Sequence, residues 1–329
     1  MRRSALPHVM VWSLIVLAGS GIACRTAGLH LLGLIGLQKK PLSIATVMDQ
    51  PAQAAVQAIN PFNSYRPLQE AMTRSLQRPV AIDVCFPFQI QMGFDTGWYH
   101  AATVTPAQYA RLSDTARSRV LVVTVDREGR PARSALLVVP PDSPVKRPAD
   151  LRGLTVAFGP ADDSRLHVAA LQLLKDAGLS RTDLALEVLP VPGSLKHLPD
   201  SRSVAQSVIN GSSAAGFVDE AAWEGFAERG TKEGEPARDR LRVVARTVAL
   251  PDRLWIAAPA LDGATANQLR TFLLEVGGDH PKALDPLGIA GYEVPGEELL
   301  AACRGLAGVI EPAPAEAASP ESQPADEPR

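Results

Sequence analysis

From residue 54 onward, short apolar runs alternate with amphipathic stretches of helical period. Runs of four to seven residues rich in Val, Ile and Leu, bounded by turn residues, predict strands over Ala54–Ile59, Val80–Phe86, Ala101–Val104, Val120–Val125 and Ala135–Val139. Further strands are expected over Leu154–Phe158, Ala185–Leu189, Ala215–Val218, Leu241–Val244 and Asp252–Ala257. Between them the period lengthens to that of helices. Leu68, Met72 and Leu76 share one face of a helix over Pro67–Leu76, which follows a turn-rich loop, Asn60-Pro61-Phe62-Asn63-Ser64. Other helices are predicted over Pro106–Leu112, Leu166–Ala177 (ended by Gly178), Ser203–Ile209, Glu220–Glu228, Thr265–Val276 and Leu299–Leu306. Strands alternating with helices place the chain in the α/β class with largely parallel sheets.

The two ends depart from this pattern. Arg2 and Arg3 precede an apolar run from Val9 to Ala18, and small residues lead to Cys24. That order is the layout of an export signal. Ser20-Gly21-Ile22-Ala23-Cys24 resembles a bacterial lipobox, in which the cysteine carries the lipid, although Gly21 stands where leucine is usual. A retained span is the alternative, because apolar residues resume from Ala27 to Leu37, with Arg25 interrupting. A freely secreted form is the third reading, and all three put the folded part outside the cytoplasm. Residues 25–53 read as a linker, and residues 311–329, rich in Pro, Ala, Glu and Ser, as a disordered tail.

Composition narrows the function classes. Charged residues make up 21% and net charge is -2, without a basic stripe interleaved with aromatics, so nucleic acid is not an expected partner. The three cysteines, Cys24, Cys85 and Cys303, have no CxxC spacing, and the histidines form no metal-ligand pattern, so neither a metal nor a cofactor is expected. No nucleophile elbow, zincin motif, Walker loop or Rossmann glycine pattern occurs, which argues against an enzyme.

Pro148-Ala149-Asp150-Leu151-Arg152-Gly153-Leu154-Thr155-Val156-Ala157-Phe158-Gly159 resembles the entry to the second lobe in the phosphate/phosphonate-type substrate-binding proteins of ABC uptake systems. Asn60 to Leu68, Thr103 to Tyr109 and Ala214 to Asp219 are similar to shorter blocks of that family. The resemblance implies a type II periplasmic-binding-protein fold, two α/β lobes joined by two crossovers with a ligand cleft between. Residues 54–140 and 247–310 would form one lobe and 141–246 the other, with crossovers near Val139–Pro144 and Ala245–Leu250. It implies a small-molecule ligand, with an ABC permease or membrane sensor as partner. The alternative is a degenerate binding fold acting as an interaction module.

The resemblance also places the cleft. Ser64 and Tyr65 follow the expected first strand, Phe88 and Gln89 the second, and Thr103, Thr105 and Tyr109 surround the third strand-to-helix turn. Asp163, Ser164 and Arg165 begin the second lobe's first helix, where the family holds phosphonate oxygens on a Ser-Thr-Ser loop. Here only Ser164 keeps a hydroxyl and Asp162 and Asp163 sit beside it, so a dianionic ligand would meet repulsion. A neutral, zwitterionic or cationic solute becomes an open possibility. Asp219, at a strand end, stands where the family places a polar or acidic residue against the ligand's amine.

Overall fold

The computed structural model describes residues 40–47, 61–117, 119–187, 192–226 and 238–310. Cys24, the export segment, the expected strand at Ala54–Ile59 and the tail lie outside these residues.

Among the described residues eleven strands form two sheets. The strands are β1 (Leu42–Val47), β2 (Val80–Cys85), β3 (Ala101–Val104), β4 (Val120–Asp126), β5 (Ala135–Val139), β6 (Val156–Phe158), β7 (Lys196–His197), β8 (Ala215–Asp219), β9 (Arg242–Arg246), β10 (Leu254–Ala257) and β11 (Ile289–Glu293). The first sheet has the order β11-β4-β10-β3-β1-β2 and the second β7-β6-β8-β5-β9. Around them lie α1 (Pro61–Ser75), α2 (Pro87–Asp95), α3 (Pro106–Arg111), α4 (Asp114–Arg117), α5 (Ala170–Asp176), α6 (Ser201–Ile209), α7 (Glu220–Gly225), α8 (Gly263–Asp279) and α9 (Glu297–Gly305). Each sheet is mixed, because the strands next to the crossovers run antiparallel to their neighbours.

Central strands are apolar throughout because both faces are covered. β1, β3, β5 and β10 are buried at every residue. In the first lobe Leu42, Ile44, Leu68, Met72, Trp255, Leu269 and Leu273 pack on one face of the sheet. Ala45, Val47, Ile90, Val104, Tyr109, Val123 and Ile256 pack on the other. Helix ends follow the sequence chemistry. Thr105 and Gln108 form a capping box before Pro106, and Asp200 and Asp262 accept from the amides of Ser203 and Thr265 at 2.7 and 2.8 Å. Gly178, at φ +76°, ends α5 in the left-handed conformation that only glycine adopts without strain.

Four expectations are corrected. Residues 42–47, expected within a linker, form the strand between β2 and β3, paired parallel to both. They were overlooked because Pro41 and Ser43 interrupt a short apolar run that all-round burial explains. The loop expected over Asn60–Ser64 is helical from Pro61, where α1 starts, and that helix carries Pro67 within it. β5 belongs to the second lobe, pairing with β8 and β9. The first crossover is therefore the segment between β4 and β5, residues 127–134, rather than Val139–Pro144, and the second lobe begins near residue 135. No strand forms at Ala185–Glu187, where Glu187 makes only an isolated bridge to Ser194. β11, unheralded because Ile289-Ala290-Gly291 is weakly apolar, pairs with β4 at the sheet edge.

If β1 is a core strand, Ile44→Ala must cost about 2–5 kcal/mol in urea unfolding, as for other fully buried aliphatics. A change near zero would return residues 42–47 to the linker.

Candidate functional site

The chain crosses between sheets twice, and the crossovers are fastened to each other. Arg133 and Leu250 exchange both backbone hydrogen bonds, at 3.0 and 2.9 Å. The Arg133 guanidinium, only 6% exposed, is surrounded by carboxylates of three elements. Asp126 ends β4, Glu128 lies in the crossover and Glu224, at 3.2 Å, belongs to α7 of the second lobe. Arg130 makes a bidentate pair with the same Glu224, at 2.8 and 3.0 Å. The hinge is thus an ionic knot that ties both lobes to the connecting strands.

Beside it opens the interlobe cleft. One part, about 260 Å³, is lined by Asp126, Arg133, Arg165, Asp219 and Asp252. The adjoining part, about 380 Å³, runs along the start of the second lobe's first helix and includes Thr105, Asp163, Ser164, Arg165, Asp219, Asp252 and Arg253. That helix opens with a π turn over Ser164–Ala169 before continuing as α5. Wide turns of this kind recur at functional sites.

Asp163 caps this helix. Its carboxylate accepts from the amides of Arg165 and Leu166, both at 2.7 Å. Burial raises its pKa, and those two amides together with Arg165 oppose the rise. The helix-start donors that attract an external anion are therefore occupied by the protein's own carboxylate. Arg165 reaches Asp219 at 3.0 Å within its own lobe and Asp252 at 3.2 Å across the cleft. Desolvation works against its charge, but Asp219, Asp252 and Asp163 outweigh it and hold its pKa above the usual value.

Ser164 makes the second contact across the cleft. Its hydroxyl accepts the amide of Ala107, in the first turn of α3, at 3.0 Å. Two helix N-termini thus meet, one from each lobe, and a serine of one satisfies an open amide of the other. Asp219 ends β8, caps α7 through the amide of Ala221 at 2.8 Å, and carries the ion pair with Arg165.

The structure brings Thr105, Asp163, Ser164, Arg165 and Asp219 together around one cavity. The remaining candidates lie elsewhere. Thr105 itself serves as the cap of α3. Tyr109 is fully buried, and its hydroxyl donates to the carbonyl of Arg117 at 3.1 Å. Ser64 and Tyr65 sit in the body of α1, with Tyr65 packed on the first-lobe core. Phe88 is exposed and stacks on Phe86 at 5.9 Å, while Gln89 accepts the Phe86 amide at 2.8 Å. Thr103 is wholly buried beside Thr46, its register partner on β1, and neither hydroxyl has a hydrogen-bond partner among the described residues. Sequence reasoning missed Asp252, Arg253 and Arg133. Their one signal was charge placed where the chain passes between lobes, at Arg130–Arg133 and Pro251–Arg253. Cys85 and Cys303 are both free and buried in the same first-lobe cluster.

Comparison with known proteins agrees with this architecture. A Xanthomonas citri protein bound to chloride shares 21% identity, with 82% of this chain and 96% of that one aligned at a TM-score of 0.60. The same protein bound to ATP aligns at 0.59 with 19% identity, over 82% of this chain and 99% of that one. A phosphonate-binding protein of Prochlorococcus marinus in complex with methylphosphonate shares 13% identity, over 81% of this chain and 97% of that one, at 0.54. No curated protein matches the chain significantly. The family model described as the periplasmic substrate-binding protein of phosphonate ABC transporters matches residues 58–299, most of the chain. The chain belongs to that family, a solute-binding and non-catalytic class of extracytoplasmic proteins.

Proposed function

We propose that this protein closes over a small solute bearing an amine or other cationic group and presents it to an ABC permease. The observation that carries this reading is the charge of the cleft beside the Asp163 helix. Asp162, Asp163, Asp200, Asp219 and Asp252 line it, against Arg165 and Arg253. A bare dianion would enter a field of its own sign, and the amides suited to it already hold Asp163. A cationic group would instead compete with Arg165 for Asp219 and Asp252, trading one ion pair for another. Neighbours with this fold are solved with chloride, ATP and methylphosphonate, so the fold alone does not select the ligand.

The N-terminal segment supports attachment to the outer face of a membrane, by a lipid on Cys24 or by a retained span. Among the described residues no helix is long and apolar enough to cross a membrane. Mass spectrometry of the mature protein decides between the two. A diacylglyceryl Cys24 at the N-terminus supports the lipid, and an intact Met1 supports the span.

Ligand class is tested by thermal shift of the protein with phosphate, methylphosphonate, 2-aminoethylphosphonate and choline. The amine-bearing compounds are expected to raise the melting temperature, by the equivalent of about 2.7 kcal/mol at a hundredfold excess over Kd. A shift with phosphate or methylphosphonate and none with the amines would overturn the reading. Asp252→Asn removes the cross-cleft partner of Arg165 and is expected to open the lobes, seen as a larger radius of gyration in small-angle scattering. High salt should mimic it, because Asp252 is 61% exposed and its pairing is screened. Arg165→Leu leaves Asp163 and Asp219 uncompensated and should lower unfolding stability by about 1–3 kcal/mol.

A further inference from the structure

A second cavity, of about 560 Å³, lies on the other side of the same helix. Where the cleft uses Asp163 to Leu166, this cavity uses His167 and the face of α5 that carries Leu171, Leu174 and Lys175. It is a seam cavity, because the first lobe supplies Arg111 at the end of α3 and residues 308–310 after α9. The seam is fixed in place. Lys175 Nζ donates to the carbonyl of Gly308 at 2.8 Å, and Val168 and Ala169 share a hydrophobic cluster with Leu306.

Its chemistry is the reverse of the cleft's. Among the described residues, the charged and titratable side chains around it are Arg111, Lys175, Arg181, His167 and His197, with no carboxylate in its lining. Glu187 acts on His197 from outside the lining. The walls between these groups are aliphatic, with Leu171, Leu174, Leu179, Leu195, Val309 and Ile310. A basic rim over an apolar floor, in a volume typical of small-molecule sites, matches one kind of ligand. The two imidazoles are already positioned for it. His197 Nε2 and His167 Nδ1 share a hydrogen bond at 3.1 Å, and both rings lean on Phe158.

We propose that this seam cavity is a second ligand site, separate from the cleft, for a small organic anion with a short apolar body, such as an alkyl phosphate or carboxylate. The anionic head meets Arg111, Arg181 and the histidine pair, and the apolar body lies against the leucines. Because both lobes build the walls, an occupant favours the closed arrangement, so the two sites communicate through closure. Burial, helped by His197 and Arg181, pushes the His167 pKa down to about 4, which leaves its ring uncharged at neutral pH when no anion is near. An arriving anion reverses that balance and draws a proton onto the pair.

The test titrates the full-length protein with octyl phosphate by calorimetry, with octyltrimethylammonium as the opposite-charge control. Histidine imidazole nitrogen shifts are followed at pH 7. The expected result is saturable binding of octyl phosphate alone, with one imidazole of the pair moving toward its protonated shifts. Arg111→Glu and Arg181→Glu should each weaken binding by about tenfold or more. Arg74→Glu, an equal charge reversal on the exposed face of α1, should leave it unchanged. Three results would overturn the proposal: no binding, equal binding of the ammonium, or binding indifferent to both rim reversals. The amine reading of the cleft is judged separately, since Arg111 and Arg181 line the seam cavity and not the cleft, and a shift that survives both reversals belongs to the cleft.

Discussion

One carboxylate sets the terms for the whole site. Asp163 satisfies two amides at the start of the second lobe's first helix, and so it fixes the position of Arg165 and Ser164, the next two residues. Those two are the side chains that cross the cleft, Arg165 to Asp252 and Ser164 to the amide of Ala107. Geometry that elsewhere serves to trap an external anion is here used to hold the lobes together. The choice is consistent with the energetics. An open helix start in a closing cleft leaves unpaired donors, and an internal aspartate removes that cost without waiting for a ligand.

The hinge obeys the same logic at larger scale. Arg133 is buried among carboxylates from β4, the crossover and α7, and its backbone pairs with Leu250 on the second crossover. A buried cation of this kind is stable only while its partners stay in place. Rotation of the lobes would therefore pivot on this knot, and the contact able to give way lies beside it, in the same cavity. The exposed Arg165–Asp252 pair is that contact.

Much of the fold was legible in the sequence, and the reasons it was legible differ by element. β3 and β5 were readable to the residue because strands covered on both faces must be apolar throughout. α6 and α8 were readable over most of their length, but not in their first residues, which follow the caps Asp200 and Asp262. β1 was not, since six residues after a proline carry too little signal until their two parallel neighbours are known. The site divided in the same way. Asp163, Ser164, Arg165 and Asp219 were placed by the family resemblance, at strand-to-helix turns that lie close in sequence to its matching blocks. Asp252 is distant in sequence and enters only through the path of the second crossover. Tyr109 shows the converse error, for its ring fills a core and its hydroxyl finds a carbonyl eight residues on, which no local pattern announces.

The order of strands carries a consequence for how the chain is made. β10 lies between β3 and β4 in the first sheet, yet it is synthesised after the whole of the second sheet. Strands β1 to β3 therefore emerge with a sheet edge that cannot close until residue 254 arrives. The second sheet, drawn from one continuous stretch, is free to form earlier. A nascent chain of this design spends its synthesis as one finished half and one waiting half, with apolar edges that must be kept from pairing wrongly.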